Sequence, residues 1–141
     1  MTLPDEVAQR LSRGWLSKAA ADLRVCDLLS TAGGDQLEAI AFHAQQAAEK
    51  ALKAYLVWHQ VEFPKTHDIQ RLLELVAGYD QQLAHLLARA ADLTPYGVEY
   101  RYPGEYPPIT RDDAASAVVM SREVHGEVIK RLPGGPRAQE A

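Results

Sequence analysis

The stretch from His43 to Leu56, HAQQAAEKALKAYL, constrains the fold more than any other part of the chain. Along one helical face it repeats polar residues at spacings of three and four: His43, Gln46, Lys50 and Lys53. The other side carries Ala44, Ala47, Ala48, Ala51, Leu52 and Tyr55. Small residues on a helix face let a neighbouring helix approach closely, so this helix is expected at the centre of a bundle.

The remaining periodicity supports further helices. The first follows Pro4, which suits an opening helical turn, and puts Val7, Leu11, Trp15, Leu23, Cys26 and Leu29 on one stripe. It stops near Thr31-Ala32-Gly33-Gly34. Asp35 with Glu38 resembles a capping arrangement for the second helix, which runs to about Val61 before Phe63-Pro64 interrupts it. Thr66 is read as the cap of a short third helix with Ile69, Leu72, Leu73 and Val76 inward, closed by Gly78. Asp80 starts a fourth with Leu83, Leu86, Leu87 and Ala90 inward, continuing to about Arg101. The last opens on a capping box, Thr110 with Asp113, and carries Ala114, Val118, Ser121, Val128 and Leu132. No alternating β pattern of useful length appears. The expectation is an all-α, antiparallel up-and-down four-helix bundle with an extra short helix. A single domain spans residues 1–132, and residues 133–141, rich in Pro and Gly, form a disordered tail.

Composition limits the function. The 141 residues can bury a core without metal or disulfide support, and the lone Cys26 sits at helical spacing with Leu23 and Leu29, as a buried structural thiol does. No apolar run is long enough to cross a membrane, and the start, MTLPDEVAQR, lacks the features of a signal peptide. These observations point to the cytoplasm. The net charge of −4 argues against generic, high-affinity nucleic-acid binding through phosphates, but leaves room for a small, shaped anion site.

Three groups of residues carry candidate chemistry. With Thr66 as cap, His67 falls at the first helical position, beside unpaired amides and the positive end of the helix dipole. That placement disfavours the imidazolium and predicts a neutral ring, able to accept a proton or hold a hydrogen bond. The alternative is that His67 braces the loop and that Asp68 complements the dipole. The strip of His43, Gln46, Lys50 and Lys53 is either a solvated helix face or one wall of a phosphate groove. Between Thr94 and Ile109, four tyrosines and four prolines surround Arg101 in sixteen residues, a stiff aromatic connection rather than a flexible linker. His125 reads as a packed histidine, and no ligand spacing for a metal and no glycine-rich phosphate loop occurs.

The HAQQAAEKALKAYL helix, the Thr66-His67-Asp68 start and the Arg101-Tyr102-Pro103 turn before a final helix resemble the HEPN family, the "higher eukaryotes and prokaryotes nucleotide-binding" domains. Their order and spacing are similar to those of small stand-alone prokaryotic HEPN proteins. The resemblance implies a helical bundle that pairs as a homodimer around Tyr100–Tyr106 and the last helix. It also implies a nucleotide or RNA ligand at His43, Gln46, Lys50, Lys53, His67, Asp68, Arg101 and Tyr102, with no cofactor. A minimal nucleotidyltransferase is the implied partner, the pair working as substrate-binding subunit with enzyme or as toxin with antitoxin. Many HEPN domains are metal-independent RNases in which Arg, four to six residues and then His supply charge stabilisation and acid–base catalysis. Here Arg101 has Tyr106 where the His is expected, and a phenol is a poor base at neutral pH. Two alternatives stand beside the binding module: an RNase toxin using Arg101 with Tyr106 or His67, and a dimeric scaffold without a ligand site.

Overall fold

The computed structural model describes residues 3–33, 36–101 and 103–132, the side chain of Arg101 excepted. These residues build an all-α fold. Helix α1 spans Asp5–Thr31, α2 Leu37–Trp58, α3 Ile69–Tyr79, α4 Gln81–Leu86, α5 Thr94–Val98 and α6 Arg111–Arg131. Short 3-10 turns at Ala88–Leu93 and Glu99–Arg101 join α4 to α5 and follow α5. No strand occurs among the described residues. Among them, too, no helix is long and apolar enough to cross a membrane.

α2 is the central element. It packs along α1 and α6 and also touches α3, α5 and both 3-10 turns. Ala44, Ala47, Ala48, Ala51 and Ala54 have no exposed surface, and the larger Leu52, Tyr55 and Leu56 are buried with them. Removing a Leu-sized side chain from water contributes about 1.5–3 kcal/mol, so these three anchor the core while the alanines set the spacing. Around them gather Ile69, Leu72, Leu73 and Val76 of α3, then Leu83, Leu87 and Ala90, then Ala117, Val124 and Val128 of α6.

Helix boundaries follow local chemistry. α1 starts on Pro4, whose carbonyl accepts from the amides of Val7 and Ala8, and Asp5 and Glu6 face the positive end of its dipole. It stops at the left-handed Gly33, φ 73°. α6 opens on the expected reciprocal box, Thr110 Oγ1 accepting from the Asp113 amide at 3.0 Å and Asp113 Oδ2 from the Thr110 amide at 2.9 Å. Asp80 closes α3 with its amide on the Val76 carbonyl. It opens α4 with its carboxylate on the Leu83 amide, at 3.0 Å.

Several boundaries differ from the sequence reading. α2 ends at Trp58, not near Val61. The amides of Gln60 and Val61 bond back to the carbonyls of Val57 and Leu56, and Gln60 takes φ 55°, a left-handed helix end without glycine. The Gln60 side chain is committed to the start of α1: its Oε1 accepts from the Leu3 amide at 2.7 Å and its Nε2 donates to Asp5 at 3.2 Å. Asp35 lies outside the described residues, and Gln36 occupies the cap position of α2 without a side-chain bond. α3 is capped by Asp68, which accepts from the Gln70 amide at 3.0 Å; Thr66 accepts from the Asp68 amide and only shapes the approach. The fourth helix is broken, with Pro95, which has no N–H to donate, in the first turn of α5. Leu86 is half exposed there. In α1 the buried line runs Ala8, Ser12, Ala19, Asp22, Leu23 and Cys26, leaving Leu11 exposed. Residues 133–141, expected as a tail, lie outside the described residues.

Candidate functional site

The polar residues of α2 form one continuous sector rather than a single column. At 100° per residue, Gln45, Glu49, Lys53, Gln46, Lys50 and His43 follow one another around the helix. This sector is only partly open to water. It meets α1 on one edge and the loop between α2 and α3 on the other.

On the α1 edge, Asp22 holds two cationic groups of α2. His43 Nδ1 lies 2.9 Å from Oδ1, and Lys50 Nζ donates to Oδ2 at 2.7 Å. On the loop edge, Glu49 is the organiser. His67 Nδ1 lies 3.0 Å from its Oε1, Lys53 Nζ donates to Oε2 at 3.0 Å, and Gln45 Nε2 donates to Oε1 at 3.1 Å. The same Gln45 amide reaches the His67 carbonyl at 3.2 Å, while its Oε1 accepts from Gln46 at 2.7 Å. An ionised carboxylate only accepts, so in both imidazole pairs Nδ1 carries the hydrogen and Nε2 is left for another partner.

Depth separates the members. Glu49 and Lys53 side chains retain 3% and 8% of their surface, and the Lys53 ammonium lies 5.4 Å from the Trp15 ring centroid and 5.8 Å from that of Phe63. Two aromatic faces and a carboxylate thus replace its water. By contrast, Lys50, His43 and His67 keep 22%, 29% and 54% exposed. These three, with the partly exposed Gln46, are the members that a ligand from solution can reach. With neutral imidazoles, two lysines and two carboxylates cancel; each protonated imidazole adds one positive charge.

The premise for His67 at the first helical position does not hold, because Asp68 is the cap and His67 precedes the helix. Its orientation comes from Glu49 instead. Asp68 spends its carboxylate on α3. The 3-10 turn containing Arg101 packs on α2, as does α5, near Ile40 and Ala41, against which Tyr96 and Tyr100 rest. The Arg101 side chain and Tyr102 lie outside the described residues. Tyr106 packs its ring against Tyr100, centroids 5.0 Å apart, and Tyr100 donates to the Pro107 carbonyl at 2.8 Å, so ring contact and a hydrogen bond tie these described residues together.

Asp22, Gln45 and Glu49 were not among the residues singled out from sequence. For Asp22 the available signal was a carboxylate within the apolar line of α1, at helical spacing from Ala19 and Cys26. Cys26 itself is buried, bonds weakly to the Ile40 carbonyl, and burial pushes its thiol up to about 11. Elsewhere, His125 is partly buried and desolvation holds its pKa below the ordinary value.

Residues 12–132, from the first buried polar residue of α1 to the residue that closes α6, match the family model of the HEPN domain. The chain belongs to the HEPN domain family. At the family level this is a nucleotide- or RNA-related module. A segment of this HEPN chain is also similar to the thermostable DNA polymerase I of Thermus thermophilus and of Thermus caldophilus, 39% identical over 62 residues in each case. The match covers 44% of the HEPN chain and 7% of either polymerase. So small a share of a polymerase carries none of its activity across.

Proposed function

We propose that this HEPN domain binds the phosphates of nucleotides or short RNA and serves a minimal nucleotidyltransferase as its substrate-binding subunit or toxin component. The observation that carries the binding reading is the set of three accessible ionisable groups, His43 and Lys50 on α2 and His67 on the loop beside it, held by Asp22 and Glu49. Each imidazole is pinned through Nδ1, which leaves Nε2 as the ring atom that faces a phosphate oxygen; in the imidazolium form that Nε2–H donates, and the added charge makes the sector net positive. Lys50 has further N–H donors beyond the one spent on Asp22. Lys53 contributes from behind, as the cation that fixes Glu49. The partner role rests on the family relation alone, and a homodimer is expected on the same ground.

Calorimetry tests this directly. ATP, GTP or a short single-stranded RNA at low salt is expected to bind weakly, with affinity falling steeply as salt rises, and Lys50→Ala is expected to weaken it. Absence of heat with all three at low salt defeats the phosphate site. RNA cleavage is expected to be slow or absent, since a missing acid–base group forfeits about 10²–10⁴ in rate. Robust metal-independent cleavage that disappears in Arg101→Ala would instead establish a nuclease.

A further inference from the structure

One neighbour of the polar sector carries no charge: Gly97, buried in α5. Among the described residues Gly33 alone of the glycines has a positive φ, so the backbone at Gly97 imposes no need for glycine. Its neighbour does. A Cβ built on Gly97 runs into Cδ and Oε1 of Gln45 and comes within 2.8 Å of its Nε2. No ordinary carbon contact is that close.

Gln45 has nowhere to retreat without cost. Its side chain is fully buried, and both ends of its amide are used, on Glu49, on the His67 carbonyl and on Gln46. Glu49 Oε1 in turn accepts from both Gln45 and the His67 ring. A carboxamide pushed off its seat therefore loses its hold on the carboxylate and on the His67 backbone together.

We infer that Gly97 and Gln45 form a steric gauge that sets the orientation of His67. Gly97 is a positioning residue: its missing side chain seats the Gln45 amide, and the amide aligns Glu49 and the imidazole. The gauge ties the phosphate-facing ring to α5, the element that leads into the Arg101 turn and the tyrosine-rich connection, so a ligand or partner that shifts α5 also turns His67. This rests on the binding reading for its purpose, but not for its test.

The test reads the ring in the absence of ligand. The full chain labelled with ¹⁵N-histidine is examined by imidazole ¹H–¹⁵N spectra, with the His67 resonances identified by their loss in His67→Gln. Gly97→Ala is expected to move them to the positions seen in Gln45→Ala, and to add nothing when introduced into Gln45→Ala, where the new Cβ has room. Gly126→Ala, whose Cβ meets nothing within 4 Å, is expected to leave them in place. Wild-type His67 resonances in Gly97→Ala, or shifts that add in the double variant, overturn the gauge. If Gly97→Ala does not fold, recovery of folding in the double variant supports it and failure to recover overturns it. Because no ligand is present, a protein that binds no phosphate still passes or fails this test.

Discussion

Both sides of α2 carry residues into the interior, by opposite means. On one, Ala44, Ala47, Ala48 and Ala51 disappear because they are small enough for neighbouring helices to close over them. On the other, Gln45, Glu49 and Lys53 disappear because each polar atom finds a partner. Among the described residues no buried side-chain nitrogen or oxygen lacks one. The contrast shows that a polar stripe on a helix wheel marks hydrogen-bonding capacity, not exposure. The two sides also fail differently: the small side is sensitive to added volume, the charged side to lost partners.

Removing Glu49 separates them most sharply. Glu49→Ala leaves Lys53 buried with only ring faces for company, and a broken buried pair costs about 3–5 kcal/mol; chemical denaturation should show it, and a loss under 1 kcal/mol would mean that Lys53 escapes to water. The matching insult on the small side is Ala48→Leu, expected to cost about 1–3 kcal/mol through overpacking. Denaturation showing it neutral would mean that α2 is less tightly enclosed there than its lack of exposed surface indicates. Lys50→Ala should cost less than about 1 kcal/mol in stability, because Lys50 is itself partly exposed and Asp22, though buried, keeps His43 as a partner. Its larger effect should be on phosphate affinity, which would divide the rim of the charged side from its interior.

The gentlest effect is a drift with pH, and it comes from histidines outside the charged sector. Desolvation lowers the pKa of His59, which stacks on Tyr79 at 4.0 Å, and of His125 below the ordinary 6.5. The unfolded chain therefore takes up these protons first. Their neutral-state contribution is fully present above about pH 6.5 and is lost as pH falls through the lower folded-state values. Thermal melts across that window should show stability declining toward acid, and His59→Phe should reduce the slope. An unchanged slope would assign the drift to other groups.

The helical class, the centrality of α2 and the core residues of α3 were legible because they rest on local periodicity, as were the caps at Asp80 and Thr110. The break after α4 was not, since Leu83, Leu87 and Ala90 keep their helical spacing while the backbone tightens into a 3-10 turn. At the loop start, Thr66 and Asp68 are both competent caps, and only the closure of α3 on Asp68 decides between them. The candidate site was half legible. His43, Lys50, Lys53 and His67 could be named from one helix and one loop, whereas the roles of Asp22 and Glu49 depend on partners 21, 28 and 18 residues away in sequence. Pairing across helices leaves no periodic trace.

Cys26 gives the molecule an internal clock. Its thiol has no exposed surface, sits where α1 meets α2 beside the Ile40 carbonyl, and is held protonated by burial with its pKa at about 11. A thiol reagent at neutral pH thus finds neither access nor thiolate until α1 lifts away. With a single cysteine in the chain, the labelling rate follows that opening at one place, without any engineered probe.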